Sequence, residues 1–170
     1  MKTTAFSSAF AFSTSTGTSA SAASAAVGGK GALALILFAG GFDRVHYGLV
    51  LASAAAAISR PVTLFFAGRA VRAVLADRAD GSPGWHGLDP ADDGTSPAAR
   101  DAGFASRGVG TFAELREACV GLGVRFMACE MAVRLLDGPP VGWSPGITVE
   151  PGGVVTFLNT LGPETTTLFV

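Results

Sequence analysis

The sequence predicts an α/β domain whose central sheet is mostly parallel. Three short apolar runs, at residues 32–39, 61–66 and 124–128, have the continuity of strands that are covered on both faces, as strands of parallel sheets are. Segments with apolar residues at helical spacing follow each of these runs. A length of 170 residues is enough for one domain with a hydrophobic core.

The first 31 residues are rich in Ser, Ala and Thr, a composition that favours a disordered tail. The alternative is a secretory signal, because Lys2 precedes an apolar stretch, but serines interrupt that stretch. We therefore expect the α/β domain to occupy residues 32–162, with residues 163–170 as a C-terminal tail.

A helix is expected directly after the first strand. Asp43 is expected to cap it, and apolar residues at helical spacing carry it to about residue 59. Its uncharged part, residues 49–58, is too short to cross a bilayer. His46 has no partner ligands in the sequence, so a surface or interface position is expected for it.

The second strand, at residues 61–66, leads into a short helix at residues 69–77. Residues 78–110 then form a long insert rich in Gly, Pro and Asp, which we expect to be a mobile lid or an interface arm. Its acidic residues and His86 match no recognised spacing of metal ligands, so we expect a solvated acidic turn and no metal site. These acidic residues are Asp89, Asp92 and Asp93.

A capping box marks the next helix, at residues 111–122. Thr111 and Glu114 have the three-residue spacing of that motif. Cys119 lies on the apolar side of this helix and is expected to be a core residue.

The strand at residues 124–128 stops at Cys129, and a helix at residues 130–136 is expected to follow. A brief strand is predicted at residues 147–149. Periodicity does not separate helix from strand at residues 152–161, where we favour a terminal helix.

Composition limits the class of protein. Hydrophobic residues make up 49% of the chain and charged residues only 15%, so we expect a homo-oligomer with apolar interfaces. The net charge of -1 and the lack of a Lys/Arg cluster argue against nucleic-acid binding and against an anionic membrane surface. Two cysteines do not make a disulfide scaffold, so a reducing cytoplasm fits best.

Cys129 is the candidate reactive residue. In open α/β sheets, ligands bind outside the carboxyl ends of the strands. A helix that begins directly after a cysteine provides an electropositive setting that favours the thiolate. The alternative is a buried cysteine that acts as a small hydrophobe.

A glycine turn links the first strand to the first helix. It reads Gly40-Gly41-Phe42-Asp43 and matches neither the dinucleotide-binding nor the Walker fingerprint. Its glycines either allow a tight turn or bring backbone N–H groups close to an anion.

The string Gly-Val-Arg-Phe-Met-Ala-Cys-Glu-Met at residues 123–131 resembles the DsrE/DsrF/DsrH-like family of small sulfur-relay proteins. The alanine-rich first helix and Pro61-Val-Thr-Leu-Phe-Phe extend the resemblance to residues 32–161. It implies a single three-layer domain with a central sheet flanked by helices, assembled as a trimer or hexamer. It also implies that Cys129 accepts sulfur as a persulfide and passes it on between donor and acceptor proteins, without a bound cofactor.

The predicted site follows from this role of Cys129. Its residues are Cys129 as the nucleophile, Gly40, Gly41, Phe42 and Gly68 in the adjoining loops, and Glu130 and Met131, whose backbone N–H groups stabilise the anion. The long insert and the Glu130 carboxylate depart from the family pattern, and that carboxylate opposes ionisation of the thiol by like-charge repulsion. The alternative function is a non-catalytic oligomeric module that binds a small anion or nucleotide at the strand ends.

Overall fold

The computed structural model describes residues 31–136 and 142–170. It contains a five-stranded sheet in the order β4-β3-β2-β1-β5, and every pair of neighbouring strands is parallel. The strands are β1 (Leu33–Leu37), β2 (Val62–Phe66), β3 (Arg125–Cys129), β4 (Val149–Gly152) and β5 (Thr166–Phe169). The predicted α/β class with a parallel central sheet is therefore confirmed.

Helices cover both faces of this sheet. The α-helices are α1 (Phe42–Ala57), α2 (Pro97–Ala105), α3 (Phe112–Gly121), α4 (Glu130–Arg134) and α5 (Val154–Leu158), and the 3₁₀ helices are η1 (Gly68–Val74) and η2 (Gly84–Gly87). Gly48 of α1 packs on Leu37, whereas Phe157 of α5 stacks on Phe65 with ring centroids 4.6 Å apart. None of the helices in the described ranges has the length and hydropathy that a bilayer crossing requires.

Strands β1 to β3 form where their apolar runs predict them. Their side chains are buried on both faces of the sheet. Leu35 and Leu64, for example, have no exposed surface. Helices cover the sheet on both sides, so side chains that point to either face are buried. Apolar residues therefore occur at nearly every position of these strands.

Helix α3 begins as its sequence predicts. The Thr111 side chain accepts a hydrogen bond from the Glu114 backbone N–H, and the Glu114 carboxylate accepts one from the Thr111 backbone N–H at 2.8 Å. Helix α1 differs, because Gly41 and not Asp43 is its N-cap. Asp43 lies in the first turn and instead accepts a hydrogen bond from Arg100 Nε at 2.9 Å.

The insert at residues 78–110 contains regular structure, contrary to the expectation of a loop. It forms η2 and α2, and Ser96 caps α2 by accepting a hydrogen bond from the Ala99 N–H. The Trp85 ring is buried and lies 4.7 Å from the Phe112 ring. Aromatic residues spaced far apart in sequence thus hold the insert on the domain, a long-range contact that local periodicity does not reveal.

His46 is buried, so the expected surface or interface position was wrong. Its ring lies 4.5 Å from the ring of Phe104 in α2, and Nε2 lies 2.8 Å from the Gly110 carbonyl oxygen. The folded insert covers this side chain and explains the difference.

The chain ends in a strand and not in the expected tail. β5 pairs with β1 from Leu33–Thr166 to Ile36–Phe169. Its Thr-Thr-Leu-Phe sequence has high β propensity, and it covers an otherwise unpaired edge of an apolar strand. The preceding helix α5 confirms the predicted terminal helix. The predicted N-terminal tail lies outside the described residues, except for Gly31.

Candidate functional site

Cys129 lies at the carboxyl edge of the sheet. It is the last residue of β3 and directly precedes α4, but its side chain makes no capping hydrogen bond to that helix. The residue is 3% exposed. Its side chain is therefore almost enclosed, at the point where the strand passes into the helix.

An apolar cavity of about 330 Å³ adjoins Cys129. Because all strands are parallel, their carboxyl ends meet at one edge, and each end contributes to the wall. Phe38 follows β1, Gly68 follows β2, Val154 follows β4 and Phe169 ends β5. Met131 of α4, the C-cap residue Leu135 and Phe157 of α5 close the remaining sides. Such a concave apolar site with one reactive group is typical of a small-ligand site.

The rim of the cavity is apolar and faces solvent. Phe38 is 53% exposed, Met131 63%, Leu135 79% and Phe169 69%, and all four line the cavity. Contiguous exposed apolar side chains of this size mark contact sites for partners or ligands.

Three of the predicted site residues line this cavity together, namely Cys129, Gly68 and Met131. Gly68 has a φ of +47°, and a Cβ there would lie 2.7 Å from the Phe38 carbonyl oxygen. Glycine is thus required where the chain leaves β2 and passes the cavity. Glu130 points elsewhere, and its carboxylate lies 3.8 Å from the exposed Arg134 guanidinium.

In the part of the chain that the structure describes, the glycine turn at residues 40–43 does not line the cavity beside Cys129. Phe42 is fully buried, with its ring 5.8 Å from that of Trp85. The Asp89 backbone N–H donates to the Gly40 carbonyl at 2.8 Å, and the Phe42 N–H donates to the Asp89 carbonyl at 3.1 Å. A Cβ on Gly40 would meet Asp89 Oδ2 at 2.6 Å. The turn therefore packs against the insert, and Gly41 enters the same contact through a bridge to Asp89.

Sequence reasoning missed most of the cavity wall. Phe38 and Phe169 belong to it, but they come together only because β5 pairs with β1. Phe65 and Phe157 also line it, and these two rings, from different elements, stack on each other. Phe38 lies within the apolar run at residues 32–39, so no local signal distinguished it from the buried residues of β1.

Cys119 contrasts with Cys129. Its side chain has no exposed surface, and its thiol lies 3.7 Å from the Leu49 carbonyl oxygen, within reach as a donor. Burial raises the pKa of the Cys119 thiol to about 12. Both cysteines are free, but Cys119, unlike Cys129, does not line the apolar cavity of about 330 Å³.

Metal ligands are absent from the part of the chain that the structure describes. Residues 31–136 and 142–170 contain no group of three or more His, Cys, Asp or Glu side chains arranged to hold an ion. Asp89 instead pairs with Arg69 at 2.6 Å and with Arg72 at 3.3 Å.

The chain is similar to the sulfur carrier protein DsrE2 of Allochromatium vinosum. The two are 30% identical over 156 residues, which cover 81% of this chain and 97% of the relative. No family model matches the chain. Identity at this level over nearly the whole relative, together with the parallel α/β fold, shows that the chain belongs to the DsrE-like family.

Proposed function

We propose that this protein is a sulfur carrier that accepts sulfane sulfur as a persulfide on Cys129 and passes it to a partner protein. The observation that carries the proposal is the position of Cys129, which lines the apolar cavity at the carboxyl edge of the sheet. The relative from Allochromatium vinosum is named a sulfur carrier protein, which supports the same role here.

The chemistry consists of two thiol exchanges. The Cys129 thiolate attacks the sulfane sulfur of a donor persulfide, a new S–S bond forms at Sγ, and the donor leaves as a thiolate. An acceptor thiolate then attacks the outer sulfur, and Cys129 is released as a thiolate. Neither step requires an outside oxidant or a bound cofactor.

The surroundings of Cys129 suit a held persulfide. Apolar walls, including Phe65 and Phe157, exclude water and limit side reactions of the outer sulfur. The backbone N–H groups of Glu130 and Met131 belong to the first turn of α4, where N–H groups lack partners within the helix. We propose that these two N–H groups stabilise the persulfide anion on Cys129.

The glycine turn has an indirect role in this proposal. Gly40, Gly41 and Phe42 fix the insert through Asp89 and the aromatic contact with Trp85. They thereby support η1, whose first residue, Gly68, borders the cavity.

Donor, acceptor and sister subunits would all meet the exposed rim of the cavity. We propose a homo-oligomer, a trimer or hexamer, because the chain has few charged residues and a large apolar rim. A cytoplasmic location remains our proposal, since both cysteines are free thiols.

One observation favours a second candidate, a binding module that holds a small anion or nucleotide without chemistry at Cys129. That residue is only 3% exposed, as a structural cysteine would be. Native labelling distinguishes the two candidates. Rapid alkylation of one thiol per chain at neutral pH supports the carrier, and no labelling before denaturation supports the module.

Replacement of the thiol tests the carrier directly. Cys129→Ser is expected to abolish persulfide formation after incubation with polysulfide, while the oligomeric state measured by light scattering stays unchanged. Cys119→Ala is the matched control and should load like the original chain. Loading of Cys129→Ser to the original extent would contradict the proposal.

A further inference from the structure

The cavity beside Cys129 continues into a second compartment of about 430 Å³. The two share four lining residues, which are Phe38, Gly68, Ala132 and Leu135. The second compartment differs in chemistry, because Arg69 and Arg72 line it. The joined space therefore extends from the apolar side chains near the thiol to two guanidinium groups.

Arg69 and Arg72 are only partly neutralised. Both pair with the one carboxylate of Asp89, Arg69 through Nε at 2.6 Å and Arg72 through Nη1 at 3.3 Å. Two positive charges against one negative charge leave a formal excess of one positive charge. Each guanidinium has five N–H donors, and the other nitrogens of both have no acceptor among the described residues.

The ion pair between Asp89 and Arg69 leaves most of the Arg69 side chain open to solvent. Oδ2 of Asp89 is buried and has no aligned hydrogen-bond donor among the described residues, although Arg69 lies close to it. The Arg69 side chain is 69% exposed. An oxyanion that reaches these arginines gains charge-assisted hydrogen bonds that the existing pairs do not use.

We propose that Arg69 and Arg72 form a specificity subsite for the oxyanion end of a small sulfane-sulfur donor of the thiosulfate class, whose sulfane end reaches Cys129. This inference rests on the proposed carrier function. It adds the substrate class, since the apolar compartment alone offers no counter-charge to a sulfonate group.

The transfer balances without another reactant. The Cys129 thiolate attacks the sulfane sulfur of thiosulfate, and an S–S bond forms between Sγ and that sulfur. The bond between the sulfane sulfur and the sulfonate sulfur breaks, and its electron pair leaves with sulfite. Cys129 becomes a persulfide anion, and the total charge is unchanged. The arginines bind the oxygens of the leaving group, so their positive charge favours its departure.

Binding is measured separately from chemistry by a calorimetric titration of thiosulfate into the full-length Cys129→Ser variant. We expect saturable binding that weakens about tenfold or more when Arg69→Gln or Arg72→Gln is added, because charge-assisted hydrogen bonds are lost. Arg69→Lys keeps the charge and should retain more of the binding than Arg69→Gln. Arg78→Gln is the matched control, because Arg78 is exposed, pairs with Asp80 at 4.0 Å and does not line either compartment.

Absence of thiosulfate binding, or equal binding by the Arg69, Arg72 and Arg78 variants, would overturn the subsite. The carrier function is read separately, from persulfide formation on Cys129 of the unsubstituted chain by inorganic polysulfide. Loading by polysulfide without an arginine-dependent thiosulfate site would overturn this inference and leave the carrier proposal intact. Thiosulfate binding without any loading of Cys129 would overturn the carrier proposal, and with it the assignment of thiosulfate as a donor.

Discussion

The rings of Phe65 and Phe157 stack with their centroids 4.6 Å apart and their planes 11° from parallel. Phe65 comes from the middle of the sheet and Phe157 from α5, and both line the cavity beside Cys129. The same two rings therefore contribute to the stability of the core and to the shape of the cavity.

Truncation of Phe157 is expected to affect both properties. Phe157→Ala should lower the free energy of unfolding by about 3 kcal/mol, as large-to-small substitutions of buried aromatic residues do. It should also speed alkylation of Cys129, because the enlarged cavity admits the reagent. Urea unfolding and peptide mapping measure the two effects. Leu158→Ala, at a half-exposed neighbour, should cost less than about 1 kcal/mol, and an equal cost for both variants would contradict this account.

Gly68 and Gly81 form a matched pair for backbone strain. Both have positive φ, +47° and +78°, but a Cβ on Gly68 would clash with Phe38, whereas Gly81 has open space. Gly68→Ala should destabilise the protein by about 2 kcal/mol, and Gly81→Ala by about 1 kcal/mol or less. Thermal unfolding of the two variants gives the comparison. A smaller loss for Gly68→Ala than for Gly81→Ala would refute the close approach to Phe38.

The capping box of α3 predicts a third result. Thr111→Ala removes the hydroxyl that accepts from the Glu114 N–H and donates to the Glu114 carboxylate, and should cost about 1 kcal/mol of stability. Thr111→Ser retains the hydroxyl and should restore most of that loss. Chemical denaturation at one pH is sufficient to measure both variants, and equal stabilities would argue against the cap.

Burial of the Cys119 thiol predicts that the stability of the folded protein falls at alkaline pH. Burial holds the pKa of this thiol at about 12 in the folded chain, against an ordinary value of 9.0. Between these values the folded state keeps the proton and the unfolded state loses it, so stability present below about pH 9 falls as the pH rises towards 12. In Cys119→Ala the fall should be shallower by about 1.4 kcal/mol per pH unit over this interval. Parallel slopes for the two proteins would contradict the burial of an un-ionised thiol.

The elements that the sequence predicted correctly are those specified by local signals. The apolar runs of β1 to β3 need no partner to be recognised, and the Thr111–Glu114 spacing marks the start of α3. Gly41 and not Asp43 caps α1 because the helix already begins at Phe42, and Asp43 instead pairs with Arg100 of the insert. Such a pairing leaves no trace in a window of adjacent residues.

In the candidate site, too, the residues that the sequence predicted are those with a local signal, and the residues that it missed depend on long-range contacts. Cys129 and Met131 were found because they lie at the junction of β3 and α4, and Gly68 because it lies just after β2. Phe169 was missed because its four-residue strand is exposed and short, and only pairing with β1 stabilises it. Arg69 and Arg72 were not considered, since their proximity to the cavity depends on the path of η1.

The most direct test of the central claim is the intact mass of the native Cys119→Ala variant, in which Cys129 is the remaining thiol. After incubation with polysulfide, the account predicts a gain of about 32 Da or a multiple of it, located at Cys129 by peptide mapping and removed by a reductant. An unchanged mass under conditions that load a small-molecule thiol would contradict the claim that Cys129 carries sulfur.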